Sequence, residues 1–208
     1  MVKVNIKEKK YENKKITIKN SVSKQSHNNL GEVFNRHIKY EFEEKDVDKT
    51  MKTMTNEPYV HHVPILTGGK GYEGVYKFYK NSFVGKMTAD TKVVRISRTV
   101  SNDQVVDELI LSFTHDIEIP AMLPGISPTG RYVELPHVVV MKFKGNKIDH
   151  EHIYWDQASL LAQIGLLDNN KELPITGIEQ SKKLQELALS TQKKSHKKTI
   201  ETIANAKT

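Results

Sequence analysis

The sequence contains no cysteine. Disulfides, a thiolate nucleophile and Cys-ligated zinc are therefore excluded, and a reducing compartment fits. It also lacks any run near the roughly 18 apolar residues that span a bilayer. Met1-Val2-Lys3 leads into a lysine-rich stretch and not into the apolar core of a signal peptide. These absences point to a cytoplasmic protein with no membrane partner. There is no G-x-G-x-x-G and no Walker lysine loop, so no cofactor is expected.

Arginine is nearly absent where the charge is densest. The formal charge is +7. Its excess sits at the ends: Lys3, Lys7, Lys9, Lys10, Lys14, Lys15, Lys19 and Lys24 at one, and Lys182, Lys183, Lys193, Lys194, Lys197, Lys198 and Lys207 at the other. The middle is near neutral. Lysine tails with few aromatics attract polyanions non-specifically at most, so no specific nucleic-acid partner is expected.

What is present fits one domain with tails. Residues 1–28 form a basic arm, 29–170 the domain, and 171–208 a basic helical tail. Asn28-Asn29 offers a cap to a helix with Leu30, Val33, Phe34, His37, Ile38 and Phe42 on one stripe. Asp46 offers a cap to a second helix, ended by Pro58. Residues 59–64 read as a strand, Gly68-Gly69 and Gly71 as a turn, and residues 72–84 as an aromatic helix. From residue 93 the period becomes two. Strands are expected over 93–100, 105–119, 132–143 and 147–155, with a Pro- and Gly-rich loop at 120–130 and a helix at 158–167. Helices early and antiparallel strands late give an α+β domain, helices packed on one face of a curved antiparallel sheet. The wide end of such a cone leaves a cavity.

The early helices carry a resemblance, as do His61-His62 on the first strand and Gly69 and Gly71 before an aromatic helix. So does a last strand ending in Asp156 and followed by Gln163-Ile164-Gly165-Leu166-Leu167. The pattern resembles the SnoaL-like polyketide cyclase branch of the nuclear transport factor 2-like superfamily, over about residues 30–170. Leu123-Pro-Gly-Ile-Ser-Pro-Thr-Gly130 and Ile153-Tyr-Trp-Asp-Gln-Ala-Ser159 resemble a group within it that often carries a dienelactone hydrolase or carboxymethylenebutenolidase label. That label implies an α/β-hydrolase with a Cys nucleophile, and this chain has neither Cys nor a G-x-S-x-G elbow. The resemblance implies a small-molecule pocket, metal-free acid/base chemistry and a homodimer.

Candidate site residues follow from alternation. On the last strand Ile148, His150, His152, Tyr154 and Asp156 share one face; Asp149, Glu151, Ile153 and Trp155 share the other. By resemblance, the carboxylate ending this strand faces the cavity, so Asp156 is a catalytic candidate with His152 and Tyr154 beside it. The alternative for Asp156 is the N-cap of the following helix. Trp155 then falls on the outer face. On the strand from residue 105, His115 and Asp107 stand out on an apolar face. His115 is the second catalytic candidate, a base beside a carbonyl, or else a histidine bonded to a backbone carbonyl. His62 is expected inward, with His137 and His37 reaching the cavity wall. His150-x-His152 puts two imidazoles on one strand face, an arrangement that can bind a metal, but the resemblance implies metal-free chemistry and no metal ligands are expected. The expected function is binding of a small, mostly apolar carbonyl-bearing molecule, with acid/base catalysis of cyclisation, isomerisation or hydration and dehydration. The alternative is a non-catalytic ligand-binding or dimeric assembly module.

Overall fold

The computed structural model describes residues 24–168 and 173–190. Most of the N-terminal arm and the last part of the C-terminal tail lie outside the described residues.

Helix α1 (Lys24–Phe42) buries Leu30, Val33 and Phe34 along the expected stripe. It already runs through Asn28-Asn29, so that pair does not start it. It ends before Lys45, which takes a positive φ of 51°. Asp46 then caps α2 (Val47–Lys52), accepting from the Lys49 amide at 2.9 Å. Strand β1 (Met54–His62) begins earlier than the proline suggested. Pro58 lies inside it, in the irregular stretch between Met54 and Tyr59 where the register shifts. A missing N–H is tolerated at such a bulge.

The glycines expected as a turn form strand β2 (Thr67–Lys70), antiparallel to β1. A side chain at Gly69 would meet the Gly74 carbonyl at 2.3 Å. Glycine at 69 thus lets α3 (Gly71–Phe78) lie directly on β2. A π-helical turn (Tyr79–Phe83) continues α3 and aims Tyr79 into the core. Such turns change which side chains a helix presents to its neighbours.

Strands β3 (Lys92–Val100), β4 (Gln104–Thr114), β5 (Tyr132–Lys144) and β6 (Lys147–Trp155) form the expected antiparallel meander. β4 stops five residues short of expectation because the Asp90 carboxylate takes the Thr114 amide at 3.1 Å. The sheet order is β2-β1-β6-β5-β4-β3. Only the β1–β6 pairing is parallel, which corrects the all-antiparallel expectation. The fold is α+β, helices on a curved sheet, as read from the sequence, with β2 as a sixth strand that the reading took for a turn.

Between β5 and β6 the register slips: Phe143 faces Ile148, and Lys142 faces His150. Asp149 is left over as a β-bulge. A bulge inverts the alternation beyond it. Ile148 and Glu151 are therefore both buried, three residues apart. After β6, α4 (Gln157–Gln163) closes the domain, and a helical stretch over residues 179–190 follows. That stretch docks on the domain: Ser181 is buried, and Gln185 Nε2 donates to Glu134 Oε1 at 2.9 Å.

Candidate active site

The concave face and the helices enclose a cavity of about 430 Å³. Its walls are mostly apolar, with Phe34, Phe42 and Phe83 on the helical side and Leu109, Val139 and Ile153 on the sheet. Asn35, Lys39, Glu43, Thr91 and Arg95 also line it, and buried polar groups enter at three places.

The first is a buried corner where α1, the π-turn and β6 meet. His37 is fully buried, and Glu41 and Glu151 nearly so. His37 Nε2 lies 2.8 Å from Glu151 Oε1 and 3.1 Å from Glu41 Oε1. Its other nitrogen, Nδ1, lies 2.5 Å from Thr53 Oγ1. The Tyr79 hydroxyl donates to Glu151 Oε1 at 3.1 Å. Glu41, Tyr79 and Glu151 line the cavity, with His37 behind them. Burial alone pushes the imidazole down, but the two carboxylates reverse this and raise its pKa to about 10. At neutral pH His37 is thus an imidazolium. Burial pushes the Glu41 carboxyl up against the pull of His37. Burial, then Glu151 and Glu41, push the Tyr79 phenol well up, so it remains a donor. Among the described residues, His37, Glu41 and Glu151 are also the group whose donor atoms converge enough to hold a metal, all within 4.8 Å.

The second place holds two imidazoles. His62 Nδ1 lies 3.0 Å from the Ala121 carbonyl and His137 Nδ1 lies 3.1 Å from the Leu135 carbonyl. Each carbonyl holds a proton on Nδ1, so both rings carry the Nδ1–H tautomer. Burial lowers the pKa of both, that of His137 to about 4. Trp155 stacks on His137 at 5.5 Å and meets His62 edge-on. The only tryptophan therefore faces the cavity, against the outward expectation, because the bulge turned it in.

The third is Asp107, which Arg98 grips with two nitrogens at 2.5 and 2.6 Å. Arg98 also donates to the Gly31 carbonyl and lies over the Phe34 ring. This clasp ties β3 and β4 to α1. Asp107→Ala strands a largely buried guanidinium and is expected to cost about 3 kcal/mol in urea unfolding.

Of the residues read from the sequence, His62, His137 and Asp107 line the cavity. Asp156 and His115 are not among its lining residues, and the structure does not bring them together there. Asp156 is exposed and caps α4, accepting from the Ser159 amide at 3.1 Å and from Gln180 at 2.8 Å. His115 is buried and holds the Pro-rich loop: its carbonyl accepts from the Thr129 and Gly130 amides, and its Nδ1 lies 3.2 Å from Thr129 Oγ1. His152 and Tyr154 occupy the opposite face of β6 from Glu151; His152 meets the Tyr59 hydroxyl at 3.0 Å, and Tyr154 is exposed. Asp156→Ala is accordingly expected to cost about 1 kcal/mol as a lost cap. Ligand binding in the cavity, followed by Trp155 fluorescence, stays unchanged in that variant.

Sequence reasoning missed Glu41, Tyr79, Glu151 and Arg98. Glu41 carried a signal, since it follows His37 by four residues on the buried stripe.

A curved sheet closed by helices around such a cavity defines the nuclear transport factor 2-like cone. Comparison narrows this: the SnoaL-like polyketide cyclase family matches residues 34–164, and the chain belongs to that family. Among solved structures, a SnoaL-like protein from Jannaschia sp. CCS1 is similar at 19% identity and a TM-score of 0.57, covering 69% of this chain and 96% of its own. A nuclear transport factor 2-like protein from Burkholderia pseudomallei K96243 is similar at 15% identity and a TM-score of 0.52, over 66% of this chain and 98% of its own. A protein with the ketosteroid isomerase-like fold from Catenulispora acidiphila DSM 44928, solved with trimethylamine, is similar at 15% identity and a TM-score of 0.51, over 65% of this chain and 93% of its own. At these identities the likeness is one of fold. No curated protein matches. The dienelactone hydrolase label is not supported by these matches. No helix among the described residues is long and apolar enough to cross a membrane.

Proposed function

We propose that the cavity binds a small, mostly apolar molecule bearing a carbonyl and moves a proton on it, in a cyclisation, an isomerisation or a hydration and dehydration. The observation that carries this reading is the buried corner at the cavity wall. Glu151 Oε1 is held by His37 and Tyr79, while Oε2 makes no hydrogen bond among the described residues. A carboxylate fixed at one oxygen is oriented to take a proton at the other. Tyr79 keeps its proton and can turn it toward a carbonyl oxygen, where negative charge develops as the neighbouring carbon is deprotonated. His37 positions Glu151 and needs no contact with substrate. Asp156, the candidate by resemblance, and His115, the candidate from its apolar strand face, have structural duties elsewhere, so the catalytic roles pass to Glu151 and Tyr79.

The test uses enolisable cyclic ketones such as 2-tetralone in deuterated water. Wild-type protein is expected to accelerate exchange of the hydrogens beside the carbonyl, read by mass spectrometry. Glu151→Gln should slow this by about 10²–10⁴-fold, the usual worth of a positioned base. Trp155 fluorescence reports binding separately. Binding without accelerated exchange would replace this reading with a non-catalytic ligand-binding module.

A further inference from the structure

Three oxygen atoms surround His37 Nε2, and the nitrogen brings at most one hydrogen to them. Thr53 gives its hydroxyl proton to the Thr50 carbonyl at 2.6 Å, so Thr53 Oγ1 can only accept from His37 Nδ1. That fixes the proton on Nδ1. Nε2 carries either a second proton or a bare lone pair. Facing it are Glu151 Oε1 at 2.8 Å, and Glu41 Oε1 and the Tyr79 hydroxyl at 3.1 Å each. With a proton on Nε2, the corner is neutral only when one of the two carboxyls keeps a proton as well, which the burial that pushes Glu41 up favours. No lysine or arginine pairs with either carboxylate among the described residues. An uncompensated buried charge is expensive.

A divalent cation can take the place of those two protons, because one imidazole nitrogen and two carboxylates converge on the same point. Neutral imidazole, two carboxylates and a 2+ ion sum to zero. The spacing also fits. Bonds of about 2.0–2.2 Å to nitrogen and oxygen place neighbouring donors about 2.8–3.6 Å apart in octahedral to tetrahedral arrangements. The 2.8 and 3.1 Å separations at Nε2 lie near the short end of that range, and the donor atoms of all three residues lie within 4.8 Å of one another. Metal-bound histidines commonly donate their second ring N–H to a fixed neighbour, as His37 does to Thr53. A mixed imidazole and carboxylate set suits first-row transition ions better than Ca²⁺ or Mg²⁺, which prefer oxygen alone.

We infer that His37, Glu41 and Glu151 form a binding site for one divalent first-row transition cation, opening toward the cavity. The site takes the ion in place of the protons at Nε2 and on one carboxyl. Its chemical consequence rests on the reading proposed above: an ion there would polarise a carbonyl oxygen beside Glu151. The binding itself does not depend on that reading.

The test strips the full-length protein with EDTA, removes the chelator, and titrates Co²⁺ and Zn²⁺ by calorimetry. Wild-type protein should take up one equivalent. His150→Gln/His152→Gln removes the imidazole pair of the outer sheet face, whose rings are 5.0 Å apart, and should bind equally well. Glu41→Gln and Glu151→Gln should each bind at least about 100-fold more weakly, the upper range for disturbing a metal site's supporting groups. Should those variants misfold, wild-type protein and His150→Gln/His152→Gln decide between them: both should take up one equivalent of Co²⁺, and uptake that disappears with the outer histidines overturns the inference. Absence of binding in wild type overturns the inference. So does binding that survives the glutamate changes and disappears with the outer histidines. Ketone exchange that depends on Glu151, in a protein that takes up no Co²⁺ or Zn²⁺ on titration, would leave the proposed function standing and this inference lost. Metal uptake with no ketone bound in the cavity would do the reverse.

Discussion

His37→Leu is expected to lower the unfolding free energy of the metal-free protein by about 3–5 kcal/mol, the usual cost of breaking a buried ion pair from one side. Leucine fills much of the imidazole's volume, so lost packing is a small part of the effect. What remains is Glu41 and Glu151 facing one another in a dry wall, with Thr53 Oγ1 deprived of its donor. At least one carboxyl must take up a proton to fold. The companion variant His37→Leu/Glu41→Gln/Glu151→Gln removes the charges together. Replacing a whole buried ionic group is often neutral or stabilising, so it should fall within about 2 kcal/mol of wild type. Urea unfolding followed by Trp155 fluorescence measures both. A loss under 1 kcal/mol in the single variant would mean that His37 does not carry the charge assigned to it. The comparison also bears on function: if the triple variant is as stable as wild type, the corner is kept for something other than folding.

Much of the fold was legible because its signals are local. The change from a three-and-four spacing to a period of two at residue 93 marks where helices give way to the meander, and the structure places β3, β5 and β6 close to the expected bounds, with β4 ending five residues sooner. Asp46 and Asp156 could be read as caps because an acid before an apolar helical run has one common use. The site was harder. Its central carboxylate was assigned to the wrong face by strict alternation from Ile148. One unpaired residue, Asp149, shifts the phase, so Glu151 and Trp155 turn inward while His152 and Tyr154 turn out. Bulges are set by pairing with a neighbouring strand, which a single strand's sequence does not display. Tyr79 lay hidden for a similar reason. It sits within an aromatic run whose helical spacing gives no sign of the π-turn that aims it at Glu151. His37 could be noticed as a histidine on an apolar stripe. Its partners come from the same helix and from a strand more than a hundred residues away, and only the first was within reach of spacing.

Acid should unfold this protein partly through His137. Burial, largest among the causes, holds the ring's pKa at about 4, against 6.5 in an unfolded chain. The folded state therefore excludes a proton that the unfolded state accepts. The sign follows: this contribution is fully present above pH 6.5 and is lost as pH falls from there through about 4. Its full extent is about 3 kcal/mol, from 1.36 kcal/mol for each pH unit between the two values. His62, the titratable group facing His137 across Trp155, is shifted the same way by burial and adds to the loss. His37 works in the opposite sense. Its raised value makes its contribution complete below pH 6.5 and lost only as pH rises through about 10, so it does not change in this window. Glu41, pushed up by burial, gains stability as pH falls, but it is present in every variant compared. His137→Phe isolates the effect, since phenylalanine keeps the stacking on Trp155 and carries no titrating group. The difference in unfolding free energy between wild type and His137→Phe should move by about 3 kcal/mol in the variant's favour between pH 7 and pH 4. A difference that stays flat over that range would mean that water reaches His137 and that the cavity wall around it is open.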